Sequence, residues 1–150
     1  MKKVQRPSPG FWRAPKAGCA KFNVDAAVKG GVGVAGIGGV LRDHTGNVLS
    51  SFSKSIGVSD PTSAELQGIL EACRHFASSP WFGVKSLIIE SDSELAINWI
   101  KNPLQAPAGF SDLIQKCKYF ADKFRLSFDF VFREGNAEAH RLAKLGLGRS

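Results

Sequence analysis

The sequence predicts an α/β domain built on a five-stranded mixed sheet with helices on both faces. Three observations carry this reading. Strand-type alternation and β-branched residues fill the stretch from 20 to 56, interrupted only by two short polar or glycine-rich turns. Helical spacing of three and four appears only after Asp60. A short apolar strand, Lys85 to Ile89, then follows a helix, so it lies parallel to the first strand.

Taken in order, residues 1–19 carry three of the seven prolines and no periodicity, and read as a basic tail or linker that docks through Phe11 and Trp12 at most. The domain proper is expected over 20–150. Residues 20–27 form the first strand, with Phe22 and Val24 on one face and Asn23 and Asp25 on the other. A turn over Lys29 to Gly33 leads into Val34 to Arg42, a strand thinned by Gly36, Gly38 and Gly39. The polar turn Asp43-His-Thr-Gly-Asn47 leads into Val48 to Ile56, completing an antiparallel meander.

Asp60 and Pro61 suit the cap and first position of a helix, and Thr62 with Glu65 also fits a capping box. Leu66, Ile69, Leu70, Cys73 and Phe76 form its apolar face. Asp92-Ser-Glu opens a second helix through Trp99 and Lys101, stopped at Asn102-Pro103. Ser111-Asp112 caps a third, with Leu113, Ile114, Cys117, Phe120, Ala121 and Phe124 inward. Leu126, Phe128, Phe130 and Phe132 alternate as the fifth strand, and Asn136 to Leu145 is the closing helix.

Composition bounds the function. At 150 residues, 43% hydrophobic and 22% charged, the chain suits one globular domain with a real core. No apolar run reaches the roughly 18–20 residues of a membrane span, and the first residues lack the apolar core of a secretory signal. Cys19, Cys73 and Cys117 are odd in number and widely spaced, which argues against a disulfide framework or a structural zinc site. The expected location is nucleus or cytoplasm, not secreted, and the expected state a monomer. A net charge of +7 and pI of 9.6 make a polyanionic partner plausible. Gly31-Val-Gly-Val-Ala-Gly36 matches a dinucleotide fingerprint in letters only, because a strand follows it and no helix N-terminus is there to receive a pyrophosphate. Those glycines suit a tight turn and close backbone approach of a ligand on the sheet face.

Four residues stand out as candidate metal ligands: Asp25, Glu65, Asp92 and His140. Each alone has an ordinary explanation: a solvated strand aspartate, a capping-box acid, a helix N-cap and an exposed helical histidine. His44 and His75 read as loop and helix-surface residues. In open α/β sheets, sites gather at the carboxyl ends of central strands, where Asp25 and Asp92 both fall.

Six segments in order turn these singles into a pattern: Lys21-Phe-Asn-Val-Asp25, Gly36-Ile-Gly-Gly-Val-Leu-Arg-Asp43, Gly46-Asn-Val, Ala64-Glu65, Ile89-Glu-Ser-Asp92 and Arg133-Glu-Gly-Asn-Ala-Glu-Ala-His-Arg-Leu-Ala-Lys144. Together they resemble the plant ribonuclease H-like domains related to non-LTR retrotransposons. Trp12, Pro15 and Gly18 resemble that family's lead-in, so the likeness runs from about residue 12 to 146.

The resemblance implies a ribonuclease H fold with strand order 3-2-1-4-5, and a nuclease that hydrolyses the RNA strand of RNA–DNA hybrids, alone or within a larger reverse-transcriptase polyprotein. It implies two divalent cations, Mg²⁺ or Mn²⁺, with Asp25 between them, Glu65 and Asp92 on the leaving-group side, and His140 with Asp25 on the side of the attacking water. Hard cations need clustered oxygen ligands, and two of them stabilise both the attacking and the leaving oxygen. Nucleic-acid contacts are expected at Ala26, Ala27 and Asn136 beside the site, at Arg133 for phosphate contact or product release, and at Trp99, Lys116 and Lys118 towards the DNA strand.

Three features depart from ribonuclease H proper. His140 stands where a fourth acid is usual and suits Mn²⁺ better than Mg²⁺. Phe130, Phe132 and Arg133 replace a mobile histidine, and Ala26 follows Asp25 where glycine is usual. The alternative reading is therefore a catalytically weak or inactive nucleic-acid-binding module of the same fold.

Overall fold

The structure is a computed structural model that describes residues 11–149. The proposed tail falls mostly outside these residues; of the part within them, Pro15 is buried and Trp12 half-buried against the sheet. Strands β1 (Cys19–Val28), β2 (Gly33–Arg42) and β3 (Val48–Ser59) form the meander, followed by helix α1 (Pro61–Ala77). Strand β4 (Ser86–Ser91), helices α2 (Glu94–Lys101) and α3 (Ser111–Lys123), strand β5 (Leu126–Phe130) and helix α4 (Ala137–Gly146) complete the chain. The sheet order is β3-β2-β1-β4-β5, with β1 antiparallel to β2 and parallel to β4. The mixed five-stranded sheet is the one expected.

Alternation along β1 divides the molecule into two unlike halves. Ala20, Phe22 and Val24 join a continuous apolar core with Leu66, Ile69 and Cys73 of α1 and with Ile97, Ile114 and Cys117 beneath α2 and α3. On the opposite face Lys21, Asn23 and Asp25 are buried although polar, Asn23 and Asp25 against α4 and its cap and Lys21 under the lead-in. Burying polar groups is costly unless each is partnered, and Lys21, Asn23 and Asp25 each engage side-chain or backbone partners from outside β1.

Helix α4 comes close to the sheet because β2 lacks side chains on that side. A methyl group on Gly36 would sit 2.6 Å from the backbone nitrogen of Leu147, and one on Gly38 would sit 2.6 Å from the carbonyl carbon of Leu142. The expectation that the glycines of the Gly31–Gly36 run admit a ligand is therefore corrected at Gly36, which with Gly38 admits the backbone of the chain's own last helix.

Several local expectations also change. Asp60 caps α1, its carboxylate accepting from the Ser63 amide at 2.8 Å, so Glu65 is not a capping-box acid. Ser93, not Asp92, caps α2, its hydroxyl accepting from the Ala96 amide. Helix α3 has no side-chain cap, and of its expected inward residues only Ile114 and Cys117 are fully buried. Strand β5 ends at Phe130; Phe130 and Phe132 are 39% and 50% exposed, because β5 is an edge strand whose only fully buried residue is Phe128. His75 is not a surface residue: its Nε2 lies 2.7 Å from the Ser50 hydroxyl and its ring packs against Phe22 and Phe52.

Candidate active site

Asp25 lies near the carboxyl end of β1 and Asp92 directly after β4, the parallel neighbour of β1. Glu65 projects from the first turns of α1, whose start is fixed by the Asp60 cap, and His140 comes from α4 on the other side. All four line one cleft, together with Ala26 and Arg133. Oxygens of Asp25, Glu65 and Asp92 lie within 4.8 Å of one another. Nδ1 of His140 is 2.8 Å from Oδ2 of Asp25, and the Ala26 amide donates to Oδ1 of the same carboxylate at 2.9 Å.

Electrostatics at the site are unfavourable for three free carboxylates. Burial, and then the negative charge of Asp25, hold the Glu65 carboxyl well above the usual range. Burial and Asp25 push Asp92 up to about 6, with Arg133 and His140 pulling the other way. Oε2 of Glu65 is buried with no hydrogen-bond partner among the described residues. A buried orphan oxygen beside two further carboxylates fits a hard divalent cation, which supplies the missing partner and relieves the repulsion. His140 is held by Asp25 at the edge of this trio.

The remaining expected contact residues divide. Arg133 is exposed, and its Nε lies 3.8 Å from Oδ2 of Asp92. Ala26 lines the cleft, whereas Ala27 is half-buried outside it. Trp99 is half-buried with its ring 4.8 Å from that of Phe110. Lys116 pairs with Asp112 on the surface of α3, and Lys118 is half-buried on the same helix.

Asn136 is a correction. It is 1% exposed; its amide donates to the Val24 carbonyl at 2.8 Å, and its oxygen accepts from Asn23 at 3.0 Å. A side chain enclosed and engaged at both ends does not reach nucleic acid. Asn23, Glu90 and Lys21 carry no role among the sequence expectations, although the alternation that singles out Asp25 places Asn23 and Lys21 on the same face, where both are buried.

A family model described as reverse transcriptase-like matches residues 23–146. The chain belongs to the reverse transcriptase-like family. Over 140 residues, 93% of the chain, it is 34% identical to an Arabidopsis thaliana protein named "Putative ribonuclease H protein", and it spans 22% of that relative's length. Among solved structures, RNase H1 of the archaeon Halobacterium salinarum superposes with a TM-score of 0.80 at 21% identity, covering 87% of this chain and 98% of that one. LC11-RNase H1, isolated from compost by a metagenomic approach, was solved in complex with an RNA/DNA hybrid. That complex gives 0.79 at 22% identity, covering 86% and 96%. This reverse transcriptase-like domain therefore has the ribonuclease H fold, as the sequence resemblance implied.

Proposed function

We propose that this domain is a metal-dependent endonuclease that hydrolyses the RNA strand of RNA–DNA hybrids. The observation that carries the proposal is the convergence of Asp25, Glu65 and Asp92 from three separate elements, with Oε2 of Glu65 buried and unpartnered. No packing or capping role explains all three acids once Asp60 and Ser93 are seen to cap the helices.

Asp25, Glu65 and Asp92 would hold Mg²⁺ or Mn²⁺, with His140 completing the set beside Asp25. When bound, a pair of such ions supplies an activated water and stabilises the charge on the leaving oxygen. The chain's own residues set the geometry. The Ala26 amide fixes one oxygen of Asp25 and His140 engages the other, so the carboxylate cannot turn away from the cleft. With Nδ1–H donating to Asp25, the Nε2 lone pair of His140 is the one directed to other partners. Arg133, exposed at the rim beside Asp92, is placed to contact a phosphate. Hybrid recognition would rest on shape, 2′-hydroxyls and phosphates, and not on base identity.

The engagement of His140 with Asp25 also supports a second reading, a module that binds hybrids but turns them over slowly or not at all, since an imidazole brings no negative charge to the site. A hybrid with separately labelled strands separates the two. The nuclease reading expects the RNA strand alone to be cut with Mg²⁺ or Mn²⁺, leaving 3′-hydroxyl and 5′-phosphate ends. Tight binding without cleavage in either cation would establish the binding module instead.

A further inference from the structure

Trp12 precedes the sheet, yet it is wired to the interior. Its indole Nε1 donates to Oδ1 of Asn23 at 2.8 Å, while its ring lies between Lys21, 5.7 Å from the centroid, and Arg42, at 5.5 Å. Asn23 is 2% exposed, and its amide donates at 3.0 Å to both Oε1 of Glu90 and Oδ1 of Asn136. Lys21 closes the network by pairing with Glu90 at 3.0 Å and donating to the Arg13 carbonyl at 2.6 Å. Asn136 holds the N-cap position of α4, but its side chain makes no capping bond; it is turned onto β1.

Two rungs thus join α4 to β1. Asn136 grips Asn23 and the Val24 carbonyl, and His140 grips Asp25. Four residues of helix rise about 6 Å and two residues of strand about 6.6 Å, so the rungs match and a shift at the first is transmitted to the second. The lead-in also touches the start of α4 directly, since a methyl group on Gly135 would lie 3.3 Å from the Phe11 carbonyl oxygen.

We propose that Trp12 is a positioning residue: through Asn23 and Asn136, the segment ahead of the sheet sets where His140 stands against Asp25. The proposal rests on the reading of this cleft as a nuclease site, but its first test does not need cleavage. In the ¹⁵N-labelled full chain without added metal, Trp12→Phe keeps an aromatic ring beside Lys21 and Arg42 but removes the N–H donor together with part of the indole. The expected result is a shift of the His140 ring resonances while those of His44 and His75 stay in place. His140 resonances unchanged in a folded Trp12→Phe protein would overturn the proposal, whether or not the wild type cleaves.

With hybrid and Mn²⁺, Trp12→Phe should lower kcat about tenfold, the lower end for loss of an outer partner of a metal site, and leave KM unchanged. In a double-mutant cycle with His140→Ala that effect should vanish; additive effects would contradict transmission through His140. Gly135→Ala, whose added methyl meets Val131 and the Phe11 carbonyl of the lead-in while every hydrogen-bonding side chain is retained, should also shift the His140 resonances. A folded Gly135→Ala protein with wild-type His140 resonances would count against the route through the start of α4.

Discussion

Nδ1 of His140 stands 2.8 Å from Oδ2 of Asp25, joining the closing helix to the central strand across 115 positions of sequence. That contact places an imidazole at the edge of a trio of carboxylates that would otherwise only repel one another.

Stability of the metal-free protein should fall with rising pH. The folded Asp92 carboxyl sits at about 6, above its ordinary unfolded value, and Glu65 is shifted the same way. Between about pH 4 and about 6 the native chain therefore holds more protons at Asp92 than the unfolded chain, so stability declines across that window, and the upward shift of Glu65 adds a further decline of the same sign. Thermal melts with a chelator should show this decline, weakened in Asp92→Asn. Saturating Mn²⁺ should abolish it, because the cation favours the charged form. A Tm independent of pH in that range would show that the acids do not burden the fold.

Replacing Asp25 by asparagine should end cleavage and raise the Tm of the metal-free protein, since it removes the central charge of the cluster. The same variant should lose stabilisation by cation, which for a site at a hundredfold excess over Kd is about 2.7 kcal/mol. Melts with and without Mn²⁺ measure both effects. Equal stabilisation of wild type and Asp25→Asn would place the cation elsewhere.

Exchanging His140 for aspartate should raise Mg²⁺-dependent cleavage and shift the cation preference from Mn²⁺ towards Mg²⁺, because a fourth oxygen ligand replaces a nitrogen. The same change should lower metal-free stability by adding a like charge beside Asp25. Initial rates across a Mg²⁺ titration test this; an unchanged rate would remove His140 from the ligand set.

At the rim, Arg133→Ala should weaken hybrid binding and reduce the slope of log K against log salt by about 1, the signature of one lost phosphate contact. Filter binding at several salt concentrations measures it. No change in slope would mean that Arg133, 80% exposed, serves only to pair with Asp92.

Gly38→Ala should destabilise the fold by about 1–3 kcal/mol, the range for overpacking, because the added methyl meets backbone atoms of α4 at Leu142 and Ala143 and not a flexible side chain. Urea denaturation followed at Trp fluorescence reads the loss. A neutral effect would mean that α4 is free to move off the sheet.

Much of this architecture was legible in the residues. Alternation identified the meander, and the Asp60-Pro61 pair located the start of α1, because both signals are local and act through backbone geometry. What escaped was non-local. Nothing in Gly36 or Gly38 says whether a ligand or a helix will fill the space above them; only the return of α4, more than a hundred residues later, decides it. Asn136 resembled a contact residue because its neighbours did, yet its amide is consumed by Asn23 and Val24. Phe130 and Phe132 kept strand periodicity although β5 is an edge with little core to cover. The approach of Asp25 to Asp92 was legible, because the helix before β4 implied its parallel pairing with β1, whereas Glu65 and His140 joined them only through the family resemblance.

The central claim is that Asp25, Glu65 and Asp92 together hold a divalent cation. Anomalous diffraction from crystals grown with Mn²⁺ tests it most directly. The account predicts a manganese peak bonded to oxygens of all three carboxylates, with Oε2 of Glu65 no longer unpartnered. An empty cleft at saturating Mn²⁺, or a peak that leaves Glu65 out, would contradict it.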